Sequence, residues 1–494
     1  MSLPVPALRA LPLAAFFALA PCPRTAPAEA PDHPALAPRP AAPAPAQPEA
    51  LSPPEPERAV PEGIESRQLE APRTEAPTLV RVAPPWISPL TPRVAATLRA
   101  VASRAPRRED VFAVMGGSSA VSRAFMGCFA GDEWDLAGYA SELGDTVAYF
   151  GDGNAAGQSP YRRGRASLAA RVGWSLRNVL AGRPSRVLRE VRAISPRYAL
   201  VLFGGNDVEG RNPRVWGRRL ETALGQLMAA GVIPVVGATL PRTDEAFMDA
   251  WAERYNVVSR GIAHAWGVPY VDYYDAVGRL PGRGLARDGV HPNVFVVGGR
   301  GRGCILSDDG LRHGHNVRNL LTLRALEAAR QVVAGAPAPA PEEPPLAGAG
   351  TAGDPLRLTT LPFSTRWGSE EFGESELDGY GCVGAERAPG PERVYRLRLA
   401  EPARLVAHVY TTRGVEASLR VLEAAVDPAH CRLAGDELEP TLPAGEHTLV
   451  LEVTPDPRGR AGGSATLVLD LAPPRAPRRG QERPRAHRRG ARMH

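Results

Sequence analysis

Between about residues 110 and 333 the chain alternates short apolar runs with stretches of helical periodicity, and this limits the possible folds more than any other feature. The apolar runs are 111–116, 146–151, 198–204, 232–239 and 268–274. The helical stretches are 165–181, 213–230, 244–266 and 309–333. Strands that alternate with helices need crossover connections, which are right-handed and build a parallel sheet covered on both faces. The expectation is an α/β, flavodoxin-like three-layer sandwich. In such a sheet ligands bind at the carboxyl ends of the strands, so chemistry is sought in the residues just after each run.

Composition marks where this unit begins and ends. The 52 prolines and 50 glycines of the 494 residues are unevenly spread, and most of the prolines lie outside the alternating region. Residues 31–85 are rich in Pro, Ala and Glu with little periodicity, the signature of an extended linker, and a second Pro/Ala stretch covers 335–350. These boundaries predict one folded domain at 86–334 and a separate unit at 351–472. In that unit the runs 394–399, 405–410, 418–422, 447–453 and 465–471 alternate with Gly and Pro turns, which predicts a small antiparallel β-sandwich able to move independently. A basic tail occupies 473–494.

The first 30 residues carry Arg9, an apolar core at 11–20 and Ala28-Glu29-Ala30, as a signal peptide would. The core is too short to span a bilayer, which takes about 20 residues, and no later segment is long and apolar enough. Proline before Cys22 is a poor match to a lipoprotein signal. The expected location is secreted, periplasmic or at the cell surface. All 59 basic residues are Arg, and the net charge is only +6. With much of that net charge coming from the last twenty residues and no recognition motif, a nucleic-acid partner is not expected.

Three short blocks carry the candidate chemistry. The first run ends in Met115-Gly116-Gly117-Ser118-Ser119, a corner that would hold a serine hydroxyl above the sheet, with its N–H opening a helix. The third ends in Phe203-Gly204-Gly205-Asn206-Asp207, where an Asn amide could face a developing oxyanion. The fifth is followed by Asp288-Gly289-Val290-His291-Pro292. There the carboxylate can hold one ring nitrogen while the other acts as base toward a serine. Taken singly, a Gly-Ser corner or an Asn-Asp turn is commonplace. In this order, after strands one, three and five, they meet at one rim.

These blocks resemble those of the SGNH/GDSL hydrolases over about residues 110–333. The resemblance implies Ser118 as nucleophile, His291 as base and Asp288 as its orienting partner. It also implies an oxyanion hole built from Ser118, Asn206 and a second-block glycine, best matched by Gly173. No metal or organic cofactor is implied, and the substrate would be a small-molecule or carbohydrate ester. One position departs from the pattern: Gly117 stands where the family's first block carries Asp, which removes a buried hydrogen-bonding side chain. The 351–472 unit resembles bacterial pre-peptidase C-terminal domains through Tyr380-Gly381-Cys382, 390–395, Cys431 and 442–445, implying an accessory, surface-associating role.

The leading expectation is an exported serine esterase, with a carbohydrate deacetylase as one form it could take. Its rival is a non-catalytic surface or polysaccharide-binding protein that keeps the fold. An exported chain with two cysteines in each folded region predicts the disulfides Cys382–Cys431 and Cys128–Cys304. Asp309, His313, His264 and the Gly298-Gly299 loop are read as structural.

Overall fold

The structure, a computed structural model, describes residues 77–472 apart from 162–165, 369–370, 373–374, 378, 383–389, 413, 424–425 and 456–462. The expected signal peptide, the expected linker up to residue 76 and the tail from residue 473 lie outside the described residues.

Four parallel strands form the central sheet in the order β1 (Arg108–Gly116), β2 (Pro196–Leu202), β3 (Ile233–Gly237) and β4 (Tyr270–Val271). Val111 to Met115 and almost all of β2 and β3 are buried. That is why they read as unbroken apolar runs rather than alternating ones. Helices α1 (Pro92–Ala102), α3 (Ala140–Gly151) and α9 (Gly314–Val333) pack together as one outer layer. Helices α4 (Leu176–Leu180), α5 (Arg186–Ile194), α6 (Pro213–Ala229) and α7 (Ala246–Ala265) form the other. A short α2 (Ser118–Val121) follows β1, and α8 (Tyr273–Gly278) follows β4.

Three expected elements differ. Residues 146–151 are not a strand but the end of α3, whose Leu143, Thr146, Val147 and Phe150 fall at helical spacing and are buried. A short apolar run fits either period, and here burial on one helical face prevails. Of 165–181, only Leu176–Leu180 is helical. Before it, Ala170 bridges Gly116 in parallel at the open edge of β1, with the Arg171 N–H donating to the Gly116 carbonyl at 3.0 Å. The fifth run keeps just two strand residues, because the Asp272 carboxylate caps α8 at the Asp275 N–H. The candidate blocks therefore follow strands one, two and four of the sheet. The chain leaves β1 toward this edge and returns to β2 on the other side, which opens a crevice at the carboxyl end of β1.

The C-terminal unit is a sandwich of two antiparallel-rich sheets. One contains β6 (Phe363–Gly368), β8 (Ala403–Thr411), β11 (Glu437–Leu438), β12 (Thr441–Leu442) and β14 (Ser464–Leu471). The other contains β5 (Leu356–Arg357), β7 (Glu392–Leu399), β9 (Val415–Leu422), β10 (Cys431–Gly435) and β13 (Gly445–Pro455). Leu397, Leu419, Leu451 and Leu467 lie in its core. Both expected disulfides are present, Cys128–Cys304 with Cα atoms 5.7 Å apart and Cys382–Cys431 with 5.1 Å.

The sandwich is docked on the α/β unit rather than loosely tethered. Glycines in two helices form the notches. A Cβ on Gly217 of α6 would lie 2.2 Å from the Tyr410 ring, and one on Gly261 of α7 would lie 2.4 Å from Val468. Tyr410, Val406 and Val468 belong to the same apolar core as the α/β layers. The Tyr410 hydroxyl donates to the Pro213 carbonyl at 3.2 Å, Thr466 donates to Glu221 at 2.6 Å, and Arg260 pairs with the fully buried Asp470 at 2.9 Å. The 335–350 stretch is pinned as well. The Arg93 N–H donates to Glu342 at 2.7 Å, where the start of α1 favours an anion, and the His264 ring meets Glu343 at 3.2 Å and Ser364 at 2.9 Å.

Candidate active site

The site begins with the turn out of β1. Gly117 is extended (φ −89°, ψ −153°), and Ser118 opens α2 with its hydroxyl on the rim. On the far side of the rim, Ala286 to Pro292 fold into a tight loop. Its base is tied by the Ala286 N–H to the His291 carbonyl at 2.8 Å, and its tip by the Thr243 N–H to the Gly289 carbonyl at 2.8 Å. Gly289 adopts φ +69° there, and a Cβ would lie 2.6 Å from the Asp244 nitrogen, so both conformation and space call for glycine.

This loop presents His291 to the serine. His291 Nε2 lies 2.7 Å from Ser118 Oγ, and His291 Nδ1 lies 2.7 Å from Asp288 Oδ2. A carboxylate only accepts, so Nδ1 carries the proton, and in the neutral ring Nε2 is left to accept from the serine hydroxyl. The other Asp288 oxygen accepts the N–H groups of Val290 and His291, each at 3.0 Å. Partial burial pulls the Asp288 carboxyl upward, but these backbone donors and the ring hold it down at about 2. About half of the Asp288 side chain and 41% of His291 remain exposed, so the pair sits at the mouth of the site.

Asn206 faces the same crevice. Its Nδ2 donates to the Trp174 carbonyl at 2.9 Å. A Cβ at position 117 would lie 2.8 Å from that Nδ2 and 3.2 Å from the Trp174 oxygen. The absence of Asp at 117 thus has a local counterpart, since the Asn206 amide packs directly against the glycine backbone. Asp207 braces the block from behind, accepting from the Leu176 N–H at 3.0 Å and the Gly204 N–H at 3.2 Å. Burial pushes its carboxyl up to about 6 against the pull of those donors.

A cavity of about 270 Å³ opens beside Ser118, with Leu202, Phe203, Leu240 and Trp174 among its apolar walls and Asn206, Thr239 and Arg242 among its polar ones. Arg242 is neutralised by Asp244 at 2.5 Å and donates to the Gly205 carbonyl at 3.2 Å. Arg318, on α9, also lines the cavity.

The structure therefore brings Ser118, His291, Asp288 and Asn206 to one rim. Gly173 lies one residue from the lining, exposed and at φ +77°, beside Trp174. Ser119 lines the cavity too, but the hydroxyl that donates to His291 Nε2 is that of Ser118. His313 packs at a tilt against Phe295 outside the site, and Asp309 makes no side-chain cap. Sequence reasoning missed Trp174 and Arg318. Neither belongs to a motif, and both reach the site through contacts distant in the chain.

Residues 143–295 match the model of the GDSL-like Lipase/Acylhydrolase family. The matched span includes Gly173, Asn206, Asp288 and His291 and begins after Ser118. No curated protein sequence matches the chain. Similar solved structures include an alpha/beta hydrolase enzyme from the metagenome of Lake Arreo, Spain, at 20% identity and TM-score 0.29, covering 44% of this chain and 94% of that one. A GDSL-like lipase from Bacteroides thetaiotaomicron matches at 16% identity and TM-score 0.29, covering 48% and 99%. An acetylxylan esterase from Geobacillus stearothermophilus matches at 18% identity and TM-score 0.25, covering 32% and 69%.

Proposed function

Taking residues 143–295 as part of a GDSL-like lipase/acylhydrolase domain, a carboxylic ester hydrolase, we propose that the reaction runs through Ser118, His291 and Asp288. The observation that carries this reading is the pair of 2.7 Å contacts made by His291, one to Ser118 Oγ and one to Asp288. Ser118 Oγ bonds to the ester carbonyl carbon as its proton passes to His291 Nε2, and the carbonyl π pair moves onto oxygen. The Ser118 and Gly173 N–H groups and the Asn206 amide serve as oxyanion donors. When the intermediate collapses, the alcohol leaves with the proton from His291. Water then repeats the sequence on the acyl-enzyme.

The substrate we favour is a short acyl ester on a carbohydrate. A cavity of about 270 Å³ is small beside the usual 300–1,000 Å³ of drug-sized sites and suits a short acyl group. The half-exposed His291 and Asp288 leave the alcohol side open to a bulky group. Export is part of the same reading and is supported by the two disulfides. Among the described residues no helix is long and apolar enough to cross a membrane. The docked sandwich is proposed as an accessory unit for surface association.

A serine-directed phosphonate followed by peptide mapping tests the assignment. Label on Ser118 together with loss of turnover is expected. Label on Ser119, or an active protein that takes no label, overturns it. Release of acetate from acetylated sugars, with little turnover of long-chain esters, is the expected substrate pattern.

A further inference from the structure

We propose that Arg318 is a positioning residue for the reaction, a buried cation that sets the nucleophile turn and favours the negative charge formed when Ser118 adds to a carbonyl. The inference rests on the ester-hydrolase reading of the site. Arg318 projects from α9 and is only 2% exposed, yet it borders the cavity that holds Ser118 and Asn206. One guanidinium nitrogen, Nη1, donates to the carbonyl of Ser119 at 3.3 Å, one residue from the nucleophile. The planar group lies between two rings, 4.4 Å from the Phe125 centroid and 5.2 Å from that of Tyr273. Its Nε has no acceptor.

The lack of a counter-ion sets this arginine apart. The other cation in the lining, Arg242, is neutralised by Asp244. Among the described residues no carboxylate pairs with Arg318. The ionisable group that acts on its charge is Tyr273, whose hydroxyl is engaged with Thr322 at 2.6 Å. Burial lowers the guanidinium to about 10, so it stays charged at neutral pH. An unpaired buried cation costs stability unless something offsets it. A residue kept only for packing would do better as an apolar side chain of similar length between the two rings. Placed beside the nucleophile turn in a water-poor wall, a fixed positive charge acts on whatever negative charge forms at Ser118.

The test uses the full chain, a short-chain aryl ester and phenylboronic acid. The boronic acid mimics the charged intermediate: Ser118 Oγ adds to boron, the proton passes to His291, and boron becomes a tetrahedral anion. Arg318→Met should lower kcat about 10- to 100-fold, smaller than or equal to the loss of one oxyanion donor. KM should stay within about twofold, and boronic acid affinity should fall in parallel with kcat. Tm should hold or rise. Arg318→Lys keeps the charge and should retain kcat and boronic acid affinity within about tenfold. This variant decides the question if the Met variant does not fold. A Met variant with kcat within threefold of wild type, or one that loses kcat with boronic acid affinity unchanged, overturns the proposal. So does a folded Lys variant that has lost boronic acid affinity 100-fold. Ser118→Ala separates the two levels. If it remains active, the reading of the site is wrong; if it is inactive while Arg318→Met is normal, only the role of Arg318 is wrong.

Discussion

Two carboxylates in this molecule are displaced from the ordinary range in opposite directions, Asp288 at the rim of the α/β sheet and Glu452 inside the sandwich. Asp288 is half exposed and is held at about 2 by two backbone N–H groups and the His291 ring, which outweigh its partial burial. Glu452 lies on β13 directly opposite Glu392 on β7 and is almost fully buried. Burial pushes it up to about 7, against hydrogen bonds from the Tyr380 hydroxyl at 3.0 Å and the Gly390 N–H at 3.1 Å. A second carboxylate beside it adds to the rise, while Arg420, stacked on the Tyr380 ring, opposes it. The raised carboxylate of the two therefore lies in the sandwich and outside the lining of the cavity, and the candidate catalytic carboxylate is the one stabilised as an anion. A perturbed carboxylate marks a site only when its partners make chemical sense together.

This contrast can be broken by experiment, beginning at the rim. Ser118→Ala and His291→Ala should each abolish turnover of an aryl ester, by about 10⁵-fold or more, and the double variant should lose little further because the two act as a unit. Steady-state rates with thermal melts as a folding control would check this. Asp288→Asn should cost about 10⁴-fold, since the amide favours the wrong ring tautomer. With Asp288 held at about 2, its contribution to stability is present above pH 4 and is lost as the pH falls toward 2, so no activity limb from Asp288 should appear above about pH 3. Asn206→Ala should be milder, roughly 10²–10³-fold in kcat.

The sandwich should respond in stability alone. Glu452 is raised above its unfolded value of 4.5, so the folded chain binds more protons between about pH 4.5 and 7. Stability from this group is present below pH 4.5 and is lost as the pH rises through 7. Glu452→Gln should flatten that decline and raise Tm by about 2–5 °C at pH 8, with ester turnover unchanged. A fall in kcat for this variant would tie the sandwich cluster to the chemistry and erase the distinction between the two regions.

The differences between expectation and structure have particular causes. The buried strands β1, β2 and β3 were legible because runs buried on both faces stay apolar throughout. The 146–151 run was not, because four apolar residues in a row fit a helix face as readily as a strand. The sandwich strands were legible from their alternation, but their docking was not. Gly217 and Gly261 look like ordinary weak points in two helices until Tyr410 and Val468 are seen to fill the notches, and those contacts join residues about 200 positions apart.

By itself the sequence determined the layered α/β plan, the placement of the serine, Asn and Asp/His blocks just after strands, and a cysteine count in each unit that allows one disulfide apiece. These are local properties, encoded in periodicity, turn residues and parity. Only the tertiary structure decided that the Asn206 amide packs on Gly117 and the Trp174 carbonyl, that Arg318 enters the wall of the cavity with no carboxylate partner among the described residues, and that the sandwich shares a core with the α/β layers. Each depends on the distance between side chains far apart in the chain. Packing sets such distances, and no short pattern in the sequence records them.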